Sequence, residues 1–305
     1  MTQTDSDLPN SAPMLARYDP PPAGGGRIND LLRRASHYVT RHIAVRRGDA
    51  FGMWIGCGYP KSGTVWLCQL MSSVLDLPYA RNFQSPVAMA SVVHSHWDYD
   101  PRLPNSIYTL RDGRDVMISF YHHRIRTMDG HRSPRQGARV RRLMEHRFGN
   151  SFDPADISNN LAGFIEMEFD GKFGHGTPWH RHVEQWTDGV KKNRAGRNHV
   201  GVVRYEDLLT DPVDSLGAAF ETVLGARFEP WIIETAIKRF DFQRRTGRQP
   251  GSEDRTSFLR KGTSGQWPDV FTRDAGEVME RRAGDLLRRL GYATDGWVED
   301  LPRSR

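Results

Sequence analysis

Apolar residues along this chain fall into short blocks of two kinds. Phe51–Tyr59, Val92–His96, Ser106–Leu110 and Val200–Tyr205 are compact apolar runs bounded by turn formers, and each predicts a buried strand. Between and after them, apolar positions recur at helical spacing over Thr64–Leu75, Arg114–Arg126, Pro212–Leu224, Pro230–Arg239 and Asp274–Leu290. Ile28–Arg47 has the same spacing with a basic face. Strands that alternate with helices predict a parallel sheet with right-handed crossovers. Two stretches, His122–Gly176 and Arg244–Gly265, read as loops, the first dense in Arg and His. Long irregular segments inside a domain are usually functional or disordered.

Residues 1–26 are polar, end in Pro20-Pro21-Pro22-Ala23-Gly24-Gly25-Gly26, and read as a disordered lead to one domain over 27–305. This stretch lacks a basic start followed by an apolar run, so it is not a secretory signal. No apolar run approaches the ~20 residues of a membrane span. Cys57 and Cys68 are the two cysteines, too few for a disulfide framework or a Cys-rich zinc site. A reducing, cytoplasmic setting is expected. The net charge of +6 favours anionic partners. Nucleic acid, a phospholipid surface and a phosphorylated cofactor all fit that charge.

The first strand runs into Tyr59-Pro60-Lys61-Ser62-Gly63-Thr64, and a helix follows. Backbone N–H groups at a helix N-terminus suit an anion. Lys61 adds a charge, Ser62 and Thr64 add hydroxyls, and Gly63 permits close approach. On residues alone the segment fits either this cradle or an ordinary capped turn. It is not a Walker A loop, because Pro60 stands where that pattern needs Gly. A P-loop nucleotide kinase is therefore disfavoured.

Arg111 ends the Ser106–Leu110 run, and Ser119 lies eight positions further on, in the following helix. A guanidinium at the carboxyl end of a strand reaches a ligand in the crevice there. It equally fits an ion pair with Asp112 or Asp115. His94-Ser95-His96 ends the second strand, where residues two apart share a face. His-x-His also admits a metal reading with His122, His123, His175, His180 or His182 as further ligands.

Tyr59-Pro60-Lys61-Ser62-Gly63-Thr64-Val65-Trp66 resembles the 5′-phosphosulfate loop of cytosolic sulfotransferases, with Val65 in place of the family's Thr. Arg111 with Ser119 resembles the family's 3′-phosphate motif. Phe258-Leu259-Arg260-Lys261-Gly262-Thr263-Ser264-Gly265-Gln266-Trp267 resembles its Arg-Lys-Gly-x-x-Gly-x-Trp loop, with Gln266 for Asp. Three motifs in the family's order span roughly Phe51 to Thr272.

The resemblance implies a P-loop-type three-layer α/β/α fold with a central parallel sheet of about four to five strands. It implies 3′-phosphoadenosine 5′-phosphosulfate (PAPS) as sulfuryl donor, with 3′-phosphoadenosine 5′-phosphate (PAP) as product and no metal. Lys61, Ser62, Gly63, Thr64, Val65 and Trp66 would hold the 5′ end, with Trp66 stacking on the base. Arg111, Ser119, Arg260, Lys261 and Gly262 would hold the 3′-phosphate. Tyr205 and Phe242 would contact adenine. His96 matches the family's catalytic base, a role that suits an imidazole, and His94 stands where the family often has Lys. Lys61 would stabilise the leaving phosphate. The segment around His180 and His182 resembles one in which the His is structural.

The acceptor is expected to be a small molecule, anionic or aromatic, bound by the variable segments Asn82–Ala90, His122–Gly176 and Arg244–Ser257. His94 and Phe152 are the candidate acceptor residues. A glycan or lipid-linked acceptor is the alternative. The arginines of His122–Arg147 fit a solvated face, or a lid contacting an anionic acceptor or a membrane surface. No recognisable nucleic-acid motif accompanies the charge. The family's dimerisation motif is incomplete, with Pro268 and Arg273 where it has Lys and Val.

Overall fold

The computed structural model describes residues 27–80, 90–129, 134–149, 152–174, 176–192, 199–249, 251–252 and 262–303. The lead 1–26, the phosphate-loop candidates Arg260 and Lys261, and most of Asn82–Ala90 lie outside them.

Five parallel strands form the sheet: β1 (Met53–Gly58), β2 (Tyr79–Ala80), β3 (Ser91–Ser95), β4 (Ser106–Leu110) and β5 (Val200–Arg204). Their spatial order is β2-β3-β1-β4-β5. The four apolar runs of the sequence are β1, β3, β4 and β5. Only the two-residue β2 escaped it, being too short to show a period. All six residues of β1 and all five of β4 are buried, as strands covered on both faces must be.

Helices cover the two faces. One layer holds α2 (Thr64–Val74), α8 (Pro212–Leu224) and α9 (Pro230–Arg239), whose Leu67, Leu70, Phe220 and Ile233 pack with Val92 and Ile107. The other holds α3 (Gly113–Met128), α5 (Ile157–Phe169), α6 (Trp179–Lys192) and α11 (Arg273–Arg289), whose Phe120, Phe164, Trp186 and Leu287 pack with Ile55 and Tyr108. Local chemistry sets their ends. Asp112 and Asp211 accept first-turn N–H bonds at the starts of α3 and α8, and Gly225 closes α8 in the left-handed region. The remaining helices are α1 (Arg27–Arg47), α4 (Pro134–Phe148), α7 (Tyr205–Thr210) and α10 (Phe242–Thr246). The expected three-layer parallel architecture is the observed one.

The loop expected over His122–Gly176 is instead the end of α3, all of α4 and all of α5. Arginine density hid the helical period. In α4 the inward positions are Gly137, Val140 and Met144, while Arg135, Arg139, Arg141 and Arg142 face solvent. Arg124 departs from that basic face. It is buried, pairs with Glu168 at 3.0 Å and lies over the Phe173 ring at 4.4 Å. Burial pushes the Glu168 carboxyl up, against the pull of Arg124. The start of Arg244–Gly265 is likewise helical, since α10 runs to Thr246.

β1 lies between β3 and β4, so the chain leaves it toward one edge and returns on the other. Ligands in open α/β sheets bind at such a switch point, beyond the strands' carboxyl ends. Lys61 follows β1, His96 follows β3, Arg111 follows β4 and Tyr205 follows β5. The topology therefore gathers the sequence candidates at one end of the sheet.

Candidate active site

The loop after β1 is tightly turned. Ser62 donates its N–H to the Tyr59 carbonyl at 3.1 Å, and Thr109 Oγ1 donates to the Ser62 carbonyl at 2.9 Å. Lys61 has φ 75°, a conformation that costs a non-glycine residue free energy and concentrates at functional sites. Gly63 has φ 85° and caps α2. A Cβ there would lie 2.4 Å from the Tyr205 ring, so only glycine fits. Thr64 Oγ1 and Trp66 Nε1 are buried without a hydrogen-bond partner among the described residues. Buried polar atoms are normally satisfied. Two orphans beside a left-handed turn at a helix N-terminus fit a bound phosphate. Val65 is buried.

Arg111 joins this loop to a second one. Its Nη1 donates to the Lys61 carbonyl at 3.0 Å, and its Nη2 donates to the Thr263 carbonyl at 3.2 Å. The guanidinium also lies over the Tyr205 ring, 4.5 Å from its centroid. Tyr205 meets the Trp66 ring edge-on at 6.1 Å. Arg111 Nε is buried without a described partner. Across the crevice Gly262 has φ 67°, and a Cβ there would lie 2.6 Å from the Phe242 ring. Gly63, Trp66, Arg111, Tyr205, Phe242 and Gly262 thus come together as anion donors interleaved with aromatic faces. Ser119 is half-buried on α3, two turns past Arg111.

The start of α3 is braced from below. Asp112 pairs with Arg114 at 2.7 Å, and Glu206 accepts the Asp112 N–H at 3.1 Å and the Tyr292 hydroxyl at 2.9 Å. Burial pushes both carboxyls up. Arg114 lies between the Trp267 and Trp297 rings, at 3.6 and 4.8 Å.

His96 is exposed at the end of β3, and its Nδ1 lies 2.6 Å from the Gly58 carbonyl. A carbonyl only accepts, so Nδ1 carries the proton and the ring's lone pair is on Nε2. The His94 ring is edge-on to His96 with centroids 4.6 Å apart, as expected for a shared strand face. Phe152 lies between α4 and α5. It stacks on Phe148 at 5.3 Å, where α4 runs toward α5. Among the described residues no three His, Cys, Asp or Glu side chains are grouped as metal ligands. Cys57 is buried, and desolvation pushes its thiol up to about 12, which leaves it no role as a nucleophile.

Two side chains make contacts of consequence that the sequence did not foreshadow. Asp115 accepts backbone N–H bonds from Gly265, Gln266 and Trp267 at 2.6, 3.0 and 3.1 Å. The Trp97 carbonyl, next to His96, accepts from His182 Nε2 at 3.0 Å and Trp186 Nε1 at 2.9 Å. The sequence offered Asp115 as an acid in the first turn of a helix and as an ion-pair partner for Arg111, which it meets at 3.6 Å. His182 carried the metal reading and the resemblance noted above.

Known proteins share this fold. The sulfotransferase domain family matches residues 99–291, beginning beyond the β1 loop and His96. The amine sulfotransferase of Oryctolagus cuniculus is 26% identical over 267 residues, covering 73% of this chain and 76% of that one. Sulfotransferase 2B1 of Homo sapiens is 24% identical over 282 residues, covering 79% and 67%. The crystal structure of mouse sulfotransferase SULT7A1 complexed with PAP has the same fold, with TM-score 0.52 and 17% identity over 84% of this chain and 96% of that one. Retinol dehydratase in complex with androsterone and inactive cofactor PAP gives TM-score 0.50 and 15% identity over 87% and 95%. The family match covers well over half of the chain, and with it the chain belongs to the sulfotransferase family, a family of transferase enzymes.

Proposed function

We propose that this enzyme transfers a sulfuryl group from PAPS to a hydroxyl of a small-molecule acceptor by in-line displacement. The observation that carries the reading is Arg111, which hydrogen-bonds the backbone of both phosphate-loop candidates while facing Tyr205. A donor with phosphates at both ends of a nucleoside needs two anion sites with an aromatic site between them. The mouse relative and retinol dehydratase were crystallised with PAP, which supports the same ligand here.

PAPS would supply the activated sulfuryl group. Thr64, Trp66 and the N–H groups opening α2 would hold its 5′ end, with Arg111, Ser119 and Gly262 at the 3′-phosphate. The aromatic rings of Trp66, Tyr205 and Phe242 would hold the base. His96 Nε2 takes the acceptor's proton. The Nδ1–H bond to Gly58 fixes that tautomer and stabilises the imidazolium that forms. Lys61 neutralises charge on the leaving phosphate oxygen. His94, edge-on to His96, orients the acceptor.

Androsterone in the retinol dehydratase complex is an apolar alcohol, and the rabbit relative is named for amines. Phenols, alcohols and amines are therefore the first acceptors to assay, by transfer of label from PAPS. Failure to bind PAP would overturn the reading, and so would ATP- and Mg²⁺-dependent transfer in its place.

A further inference from the structure

We propose that Asp115 is a positioning residue for 3′-phosphate recognition, holding the Gly262–Trp267 segment and Arg111 in register with each other. The inference rests on the PAPS reading above and deepens it.

Asp115 lies one helical turn past Arg111 and is almost fully buried, as is the Arg111 side chain. Its Oδ2 accepts from Gly265 N–H at 2.6 Å, and its Oδ1 accepts from Gln266 and Trp267 N–H at 3.0 and 3.1 Å. Three successive backbone donors on one carboxylate fix a segment's position and direction together, and charge-assisted bonds are the strong kind. The same carboxylate stands 3.6 Å from Arg111 Nη2, which itself donates to the Thr263 carbonyl. Asp115 therefore grips the segment two residues beyond the point where Arg111 grips it. The Trp267 ring, stacked on Arg114, continues the same attachment. Moving Asp115 would shift Thr263 and Gly262 relative to the guanidinium, and with them the 3′-phosphate donors.

The test compares binding of PAP with binding of adenosine 5′-phosphate, which lacks the 3′-phosphate. Isothermal titration of wild type and Asp115→Asn reads both. Asn keeps the size but presents an amide N–H₂ to a backbone donor. The expected result is a loss of PAP affinity of at least about tenfold, the scale of one charge-assisted hydrogen bond, with adenosine 5′-phosphate affinity unchanged. A second variant, Gln266→Pro, leaves Asp115 in place but removes the Gln266 N–H bond to it and the Nε2 bond to Thr263 Oγ1, and should lose PAP affinity in the same direction, by less. Equal losses for both nucleotides would mean general disruption and overturn the proposal. Unchanged or tighter PAP binding would overturn it too. If wild type does not bind PAP at all, the PAPS reading itself fails, and that outcome is separate from any behaviour of the variants.

Discussion

The chain carries two His-x-His sequences, and the fold gives them opposite uses. His94 is on β3 and His96 directly follows it in the same extended run, where residues two apart share a face, and their rings meet at the mouth of the crevice. His180 and His182 are on α6, where the same spacing turns a side chain by roughly 200°. One ring therefore goes outward and the other inward. His180 is half-buried and stacks on Phe169 at 4.9 Å. His182 is buried, donating from Nε2 to the Trp97 carbonyl and accepting at Nδ1 from the Tyr108 hydroxyl, each at 3.0 Å. Identical residues at identical spacing become an adjoining pair at the crevice on one element and a core bracket on the other. His182 also serves the first pair, since the carbonyl it holds follows His96 directly.

Four experiments press on that contrast. His96→Ala should lower kcat by about 10²–10⁴-fold, the usual contribution of general base catalysis, with the unfolding midpoint unchanged. A variant that keeps full transfer rate removes His96 from the reaction. His182→Ala should do the reverse. Losing a buried ring and two hydrogen bonds should cost about 2–4 kcal/mol of stability by denaturant unfolding, while kcat per folded molecule falls by less than tenfold. Loss of activity at full stability would make His182 part of the chemistry.

His94→Ala should come next, raising acceptor KM by up to about tenfold and leaving PAP affinity untouched. A change in PAP affinity instead would move His94 to the donor side. The smallest effect belongs to His180. Burial, aided by Arg181 and Arg282, pushes it down to about 4 from an ordinary 6.5. Its unfolded form therefore binds the proton first, so stability is complete above pH 6.5 and declines as pH falls toward 4. Burial pushes His182 in the same direction. His180→Phe should flatten part of that slope in unfolding midpoints taken across this range. An unchanged slope would assign it to other groups.

The four longer strands, the α2 and α8 helices and the β1 loop were legible from sequence. Each is decided by neighbours a few positions apart: apolar runs, Asp and Pro at helix starts, Gly where the backbone turns left-handed. The helices α4 and α5 were not read, because surface arginines outnumber the few apolar positions that mark their inner faces. Arg124 shows the same limit in reverse. Nothing local separates it from Arg139, yet one is buried against Glu168 and Phe173 and the other faces solvent.

The sequence by itself determined the tight turn after β1 and the guanidinium at the end of β4, because such a cradle is built from consecutive backbone groups and a side chain at a strand end. It also determined the parallel order of strand and helix. Only the tertiary structure decided how those pieces are held. Asp115 finds its three donors 150 to 152 positions away, and His182 reaches the Trp97 carbonyl across 85. Such pairings leave no trace in local pattern, since an acid in a first turn or a histidine on an amphipathic helix is favourable for several unrelated reasons. Packing of α3, α6 and the C-terminal segment against the sheet selects among them.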